Sequence, residues 1–386
     1  MIYIHIPFCR SFCTYCDFYS EAVPKCAGQA GEAFSGQFAK ALFREIESRR
    51  GEITGDVNTL YIGGGTPSVL PLSFYRQLMA VLSREGYGGG FDEFTVEVNP
   101  DDIVEKGTGY VKGLTELGVN RFSMGVQSLD DGILKWMNRR HDSATARKAY
   151  SILEDAGVQN ISVDLIFGLP QLRDERWRQT VSDILSLSPS GKMPPHISAY
   201  QLSVEPGSAL AVMADKGLFK EADEEHCRRQ YEILCSMLSD AGYRHYEISN
   251  FAKPGMEAVH NSAYWAHKPY SGFGPGAHSF QARTGHPVRK WNLPDLKAYL
   301  KAADDGSFES VTESETLTPE QVAIEKMMLS LRTDKGIAEE YLYSHANGDK
   351  VRELFSCGHL AMAGDGHVRI PEDCFFISDS IIAEII

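Results

Sequence analysis

Short apolar segments alternate with amphipathic stretches through the first half of the chain. Six segments have the length and composition of strands: residues 3–8, 58–64, 94–99, 121–128, 160–170 and 196–203. The stretches between them predict helices over about residues 34–50, 72–85, 109–117, 143–156 and 175–188. Near-continuous apolar strands that alternate with helices predict an α/β fold with a parallel sheet, either doubly wound or most of a (β/α) barrel.

Unusual residues gather where five of the predicted strands end. In chain order the motifs are "FCRSFC", "GGGTP", "EVNPDD", "GVQS" and "DLIFGLP". Ligands bind at the carboxyl ends of parallel strands in both doubly wound sheets and barrels. We therefore expect these motifs to contribute to a ligand site.

The strand–helix alternation stops after residue 204. A helix is predicted around residues 222–240, and the loop "HNSAYWAHKPYSGFGPGAHSF" beyond it contains too much Gly and Pro for a long helix. A later helix has Thr318 as its predicted N-cap, followed by Pro319 and Gln321. The chain is therefore predicted to form three units, over residues 1–204, 205–304 and 305–386, the last a small α+β domain.

Composition narrows the class of protein. The 386 residues include 52 acidic and 38 basic side chains, for a net charge of −14, which argues against an extended nucleic-acid-binding surface. No apolar run approaches the roughly 20 residues of a membrane span, and no secretory signal is evident. We expect a soluble, cytoplasmic protein without stable membrane insertion.

Three of the eight cysteines, Cys9, Cys13 and Cys16, follow the first predicted strand with the spacing C-x3-C-x2-C. A structural zinc site usually combines two separated cysteine pairs, and the other cysteines are scattered: Cys26, Cys227, Cys235, Cys357 and Cys374. Three thiolates on one loop suit a cubane iron–sulfur cluster better, with one iron free of protein ligands. A zinc site completed by a distant histidine remains an alternative.

Single polar residues interrupt three apolar strands: Glu97, Gln127 and Asp164. A buried carboxylate needs a partner, so these residues predict a shared inward-facing pocket. Arg139 or its neighbour Arg140 follows the fourth strand and is a candidate partner for a carboxylate. The segment "YIGGGTPS" contains neither a GxGxxG nor a P-loop motif; its glycines would allow a ligand to approach the backbone closely.

The cysteine loop, with Tyr15 before its third cysteine, resembles the radical S-adenosylmethionine (SAM) superfamily. The resemblance extends over most of the chain through "HIPFC", "GGGTPS", "GVQS", "DLIFGLP" and "HNSAYW". Together these motifs resemble the coproporphyrinogen III oxidase-like branch, and most closely its haem chaperones. This resemblance implies an incomplete (β/α)6 TIM-like barrel, an extension that carries His260, and a C-terminal domain like that of the oxidases.

The resemblance also implies the cofactors. Cys9, Cys13 and Cys16 would hold a [4Fe-4S] cluster, and SAM would chelate the open iron and be split by one electron into methionine and a 5′-deoxyadenosyl radical. Haem would contact His260 in "HNSAYW". The implied cofactor-binding residues are Tyr3, Gly64, Gly65, Thr66, Glu97, Gln127, Arg139, Asp164 and His260. No catalytic residue is assigned.

Three functional hypotheses follow. The first is a haem-binding radical SAM protein that delivers haem to other proteins, with a flavodoxin or ferredoxin as electron donor. The second is an oxygen-independent coproporphyrinogen III oxidase. Such enzymes carry the motif C-x3-C-x2-C-x-C, whereas this chain has Phe18 at the position of the fourth cysteine. The third, a tRNA-modifying radical SAM enzyme, is disfavoured by the acidic charge.

Overall fold

The computed structural model describes residues 1–22, 29–53, 57–88, 90–282 and 286–386, so Cys26 lies outside the described residues. The strands are β1 Ile2–Ile6, β2 Phe8–Cys9, β3 Glu21–Ala22, β4 Thr59–Gly64, β5 Glu93–Val98, β6 Arg121–Gln127, β7 Asn160–Phe167, β8 His196–Gln201, β9 Arg244–Glu247, β10 Asn250–Ala252, β11 Ser271–Phe273, β12 His278–Gln281, β13 Val288–Asn292, β14 Thr312–Thr316, β15 Ile337–Ala338, β16 Ala361–Met362 and β17 His367–Arg369.

Helices follow most of the strands of the first half and recur through the rest of the chain. They are α1 Gln29–Ser48, α2 Leu72–Arg84, α3 Pro100–Glu116, α4 Asp131–Trp136, α5 Ser143–Asp155, α6 Asp174–Leu185, α7 Ala209–Asp215, α8 Glu224–Asp240, α9 Val259–Trp265, α10 Leu296–Asp305, α11 Pro319–Ser330, α12 Glu339–His345, α13 Gly348–Ser356 and α14 Ser378–Ile385.

One nine-stranded sheet dominates the fold, in the order β11-β1-β4-β5-β6-β7-β8-β10-β9. Neighbours from β11 through β8 pair in parallel, whereas β10 is antiparallel to both β8 and β9. The six predicted strands are β1 and β4–β8, which confirms the α/β class. Among the described residues the two edge strands do not pair with each other, so the barrel is incomplete, as expected.

The two faces of the parallel strands differ in chemistry. On β5, Val96 is fully buried in the hydrophobic core, whereas the next residue, Glu97, lines a central cavity. The same alternation recurs on β6, where Phe122 is buried and Ser123 lines the cavity. The single polar residues that interrupt the apolar strands therefore lie on the inner face, while apolar residues cover the face under the helices.

Helix α3 begins earlier than the expected 109–117, at Pro100. Pro100 lies in its first turn, Asp101 and Asp102 follow, and Gly107 breaks the helical geometry with a φ of 72°. The missing apolar periodicity before Gly107 explains the error. Helices α3 and α5 are followed by Gly118 and Gly157, whose φ values of 99° and 89° are of the kind that glycine adopts most readily after a helix.

The segment after residue 204 completes the main sheet and adds two small sheets. Strands β9, β10 and β11 join the nine-stranded sheet, while β12–β14 and β15–β17 form three-stranded sheets. Thr318 and Gln321 form the predicted capping box of α11. The proposed unit boundaries stay a prediction. No helix in the described part of the chain has the length and apolar character needed to cross a membrane.

Candidate functional site

A cavity of about 910 Å³ lies at the carboxyl ends of the parallel strands. Its volume falls in the range of small-molecule and cofactor sites. Ten of the twelve predicted site residues line it: Cys9, Cys13, Cys16, Gly64, Gly65, Thr66, Glu97, Gln127, Arg139 and Asp164. The structure therefore brings the predicted cysteine loop and the predicted strand-end residues into one site.

The cysteine loop runs between β2 and β3 and is anchored to the segment after α4. The Thr14 amide donates to the Met137 carbonyl at 3.2 Å, and Asn138 Nδ2 donates to the Phe12 carbonyl at 2.7 Å. Asn138 adopts a positive φ of 56°, an uncommon conformation for a residue other than glycine. The loop conformation thus depends on contacts about 125 residues away in sequence.

The three thiols have the chemistry of iron–sulfur ligands. In the described residues, no group of three or more His, Cys, Asp or Glu side chains converges closely enough to hold a single metal ion. Three cysteine sulfurs that share one cavity have the chemistry to bind separate irons of a polynuclear cluster. Burial raises the pKa of Cys9 and raises that of Cys16 to about 12, so metal binding must displace their protons.

The glycine segment packs against the protein itself. A Cβ on Gly65 would lie 2.8 Å from the Phe8 carbonyl oxygen, and the Gly65 amide donates to the Ile6 carbonyl at 2.8 Å. Gly64 has a φ of 104°, and a Cβ there would lie 2.6 Å from the His5 ring. These glycines therefore allow β4 to end directly against β1 and β2, which places Thr66 beside Cys9.

Glu97 lies on the inner face of β5. Tyr61 Oη donates to Glu97 Oε1 at 2.7 Å, and the Gly64 amide donates to Oε2 at 3.2 Å. Burial raises the pKa of Glu97 to about 7, and the nearby Asp164 carboxylate adds to the rise. Glu97 is thus poised between its neutral and ionised forms near neutral pH, and it can accept hydrogen bonds from a ligand.

Asp164 and Gln127 line the cavity from the adjacent strands. Ser123 Oγ lies 3.0 Å from Asp164 Oδ2, Ser162 Oγ lies 3.2 Å from Oδ1, and burial raises the pKa of Asp164. Gln127 follows a register shift in β6 and has a φ of 65°. Strained backbone of this kind is found at ligand sites, because packing must hold it in place.

Arg139 contacts the cysteine loop directly. Its Nη1 donates to Cys13 Sγ at 3.3 Å, and its Nη2 donates to Asn99 Oδ1 and to the Gly125 carbonyl, both at 2.7 Å. Its Nε is buried without a hydrogen-bond partner. Arg140 also lines the cavity, but it pairs with Asp101 at 2.6 Å. Of the two arginines, Arg139 contacts a thiol and Arg140 pairs with a carboxylate, and the choice of Arg139 as the cofactor contact stays a prediction.

Tyr3 and His260 are not among the residues that line the cavity. Tyr3 Oη hydrogen-bonds His5 Nδ1 at 3.1 Å on β1. His260 is fully buried on α9, with Nδ1 2.8 Å from Thr59 Oγ1 and Nε2 2.9 Å from Tyr264 Oη. Since Thr59 begins β4, His260 lies at the amino ends of the strands, away from the cysteines. Neither ring nitrogen is free to ligate iron in this conformation.

Sequence reasoning missed two residues of the site. Asn99 follows β5 and bridges Arg139 to Thr66, with Nδ2 3.2 Å from Thr66 Oγ1. Arg121 begins β6, is 1% exposed and lines the cavity, with Nε 3.9 Å from Glu93. Asn99 stood in the quoted "EVNPDD" motif, and a positive charge at the start of an apolar strand marked Arg121.

Comparisons with known proteins identify the family and the fold of the chain. The Radical SAM superfamily model matches residues 3–184. The chain is 33% identical to "Heme chaperone HemW" of Bacillus subtilis over 97% of this chain and 94% of that protein, and 34% identical to the protein of the same name from Lactococcus lactis over 94% and 87%. The solved structure of Escherichia coli coproporphyrinogen III oxidase (HemN) superimposes with a TM-score of 0.79 at 20% identity, covering 99% of this chain and 88% of that one, which confirms the fold.

Proposed function

Because the chain belongs to the radical SAM superfamily, in the branch that includes the haem chaperones HemW, we propose that it is a haem chaperone that holds a [4Fe-4S] cluster and SAM and delivers haem to other proteins. The similarity to the Bacillus subtilis protein over 97% of this chain is the observation that carries the proposal. The cavity supports it, because three cysteines and seven predicted cofactor contacts share one space.

In this proposal Cys9, Cys13 and Cys16 ligate three irons, and SAM binds at the fourth. The bound cluster supplies one-electron reduction of the sulfonium. The chain's own residues position the cofactors: Glu97 and Asp164 accept hydrogen bonds, Gly64, Gly65 and Thr66 approach the amino group of SAM, and Gln127 and Arg139 close the cavity on the side of β6. Tyr3 on β1 is proposed to contact SAM near its adenine.

The haem contact is proposed at "HNSAYW", where His260, Tyr264 and Trp265 lie on or next to α9. Binding of haem iron by His260 would require its ring to leave Thr59 or Tyr264, since both ring nitrogens are hydrogen-bonded. Haem-receiving proteins are the proposed partners, a flavodoxin or ferredoxin the proposed electron donor, and the cytoplasm the proposed location.

The oxidase remains the alternative function. Phe18 occupies the position of the fourth cysteine, is 64% exposed and lines the cavity near the cysteine loop. Its side chain cannot ligate iron, so the loop departs from the oxidase pattern. The structural likeness to HemN, at 20% identity, indicates the fold and does not favour the oxidase reaction.

The deciding experiment uses anaerobically reconstituted full-length protein. Iron and sulfide analysis should give a [4Fe-4S] cluster, with a broad visible absorbance that Cys9→Ala abolishes and Cys235→Ala, outside the cavity, retains. Incubation with SAM, reductant and coproporphyrinogen III should give no protoporphyrinogen. Formation of that product would move the assignment to the oxidase, and a protein that binds zinc but no iron would refute both functions.

A haem titration tests the chaperone part. Wild-type protein should bind haem at a fixed stoichiometry, and His260→Ala should weaken binding. Because His260 also supports the fold, Thr59→Val is the matched control. It removes the hydrogen bond between Thr59 and His260 Nδ1 and keeps the imidazole. If both variants bind haem as the wild type does, His260 is not a haem contact. If the wild type binds no haem, the chaperone proposal fails.

A further inference from the structure

Two cysteines of the loop hydrogen-bond to Thr66 and Arg139, and both of these residues contact a third side chain, Asn99. Thr66 Oγ1 lies 3.3 Å from Cys9 Sγ, and Arg139 Nη1 donates to Cys13 Sγ at 3.3 Å. Asn99 joins these two donors, with Oδ1 at 2.7 Å from Arg139 Nη2 and Nδ2 at 3.2 Å from Thr66 Oγ1. Two thiols on one loop are thus linked through the ends of β4 and β5 and the segment after α4.

Donor chemistry determines the direction of the hydrogen bonds that link Arg139, Asn99 and Thr66. A guanidinium group only donates, so the Asn99 oxygen must face Arg139 and the amide NH₂ must face Thr66. The Thr66 oxygen then accepts from Asn99. A Cys9 thiolate that ligates iron has no proton to donate, so the Thr66 hydroxyl is the donor to Cys9 Sγ in the cluster-bound protein. Asn99 is therefore the group that orients both donors toward sulfur.

The surroundings hold this arrangement in place. Arg139 Nη2 also donates to the Gly125 carbonyl at 2.7 Å. The backbone amide of Asn99 donates to Ser68 Oγ at 3.1 Å, which further fixes the position of Asn99. Thr66 is 5% exposed, so little water competes for its hydroxyl. Donors that are fixed in a poorly hydrated site act more strongly on a nearby charge than mobile ones.

We propose that Asn99 is a positioning residue that aims the Thr66 hydroxyl and the Arg139 guanidinium at the sulfurs of Cys9 and Cys13, and thereby raises the reduction potential of the bound cluster. Hydrogen bonds to cysteine sulfur and nearby positive charge stabilise the more negative, reduced state of an iron–sulfur cluster. The inference rests on the proposed function only in requiring that the three cysteines hold such a cluster.

Asn99→Asp is the sharpest test, because aspartate has nearly the same shape but carries no donor. The Thr66 hydroxyl would then donate to Asp rather than to Cys9, and a negative charge would stand beside the cluster. We expect the midpoint potential to become more negative, with the ratio of reduced to oxidised cluster at fixed potential falling about tenfold. The measurement is a spectroscopically monitored redox titration without SAM, so that altered SAM binding cannot contribute.

Asn120→Asp is the matched control. It places the same charge change in a described asparagine outside the cavity, where Asn120 Oδ1 accepts from the Phe94 amide at 2.8 Å. Its potential should equal that of the wild type. If Asn99→Asp and Asn120→Asp titrate alike, Asn99 does not position the donors and the inference is wrong.

A second variant keeps the test decisive if Asn99→Asp loses its cluster. Thr66→Val removes the hydroxyl with little change in shape and should lower the potential, whereas Thr66→Ser should restore it. Iron and sulfide content is measured in every sample. A wild-type protein without a [4Fe-4S] cluster would refute the proposed function. If Thr66→Val holds a complete cluster with the midpoint potential of the wild type, only this inference is refuted.

Discussion

Tyr61 donates its hydroxyl hydrogen to Glu97 across neighbouring strands, with 2.7 Å between Oη and Oε1. This bond supports the ionised carboxylate, yet burial outweighs it and holds the pKa of Glu97 at about 7. Asp164, whose pKa burial also raises, adds to the effect, while Arg121 opposes it. The inner face of the sheet thus keeps a carboxyl group partly protonated at neutral pH.

Glu97 should make the stability of the protein depend on pH. Its pKa rises from 4.5 to about 7 on folding, so the folded chain binds this proton more tightly than the unfolded chain. The resulting stabilisation is complete below about pH 4.5 and is lost as the pH rises through about 7. Between pH 5 and 8 the wild type should lose about 2–3 kcal/mol relative to Glu97→Gln, measured by urea unfolding of the cluster-free protein.

Titrating groups that do not interact with Glu97 contribute equally to both proteins, so the difference reports Glu97 together with its coupling to Asp164. Glu116→Gln, an exposed change at the end of α3, is the control and should follow the wild type at every pH. Parallel pH profiles for wild type and Glu97→Gln would contradict the raised pKa.

Gly65→Ala should destabilise the junction between β4 and the cysteine loop. The new Cβ would lie 2.8 Å and 2.9 Å from the carbonyl oxygens of Phe8 and Ile6, and backbone atoms cannot move aside as side chains do. We expect a loss of about 1–3 kcal/mol in urea unfolding, with reduced iron incorporation.

The control for this substitution is Gly109→Ala on α3. Nothing lies within 4 Å of a Cβ at Gly109, and its φ is not positive. Alanine is a better helix former there, so the change should be neutral or stabilising by up to about 1 kcal/mol. Equal losses in the free energy of unfolding for Gly65→Ala and Gly109→Ala would show that the close contacts of Gly65 do not destabilise the variant.

Asn138→Ala should loosen the cysteine loop. The substitution removes the 2.7 Å hydrogen bond to the Phe12 carbonyl and places alanine at a φ of 56°. The two effects together should cost about 2 kcal/mol. Hydrogen exchange should become faster in residues 10–16. Asn138→Gly removes the hydrogen bond but permits the same φ, so it should destabilise the protein less than Asn138→Ala. A larger loss of stability for Asn138→Gly would show that the positive φ does not contribute to the cost of Asn138→Ala.

His260→Ala should cost stability at the amino ends of the strands. It leaves the hydroxyl groups of Thr59 and Tyr264 without their imidazole partner and opens a cavity under α9. A loss of about 2–4 kcal/mol is expected in urea unfolding. Tyr264→Phe removes only the bond to Nε2 and should cost about 1 kcal/mol. A fully stable His260→Ala protein would contradict the packing role.

Much of this fold could be predicted from the sequence, because the apolar segments, the cysteine spacing and the polar residues at strand ends indicate the same arrangement. The spacing of Cys9, Cys13 and Cys16 and the polar residues at strand ends predicted the residues that share the cavity. The apolar segments located six of the seven parallel strands of the main sheet. The short strands β9–β11 could not be predicted, because three or four residues are too few to show an alternating pattern. Pairing of β1 with β11 depends on contacts between residues 2–4 and 271–273, which no local pattern reveals.

The roles of individual site residues were harder to predict. Asn99 acts through partners that come from three separate parts of the chain, and only the folded structure shows their distances. A histidine beside Tyr264 and Trp265 predicted a ligand site at His260, and in the structure its ring nitrogens hydrogen-bond to Thr59 and Tyr264. Its predicted haem contact stays a prediction.

The alternation along β4 and β5 assigns scaffold and ligand site to different residues of the same strand. Ile62 and Val96 anchor the sheet to its helices, while their chain neighbours Tyr61 and Glu97 face the cavity. Evolution can therefore exchange the inward-facing residues, and so change what the chamber accepts, while the outward-facing set preserves the scaffold.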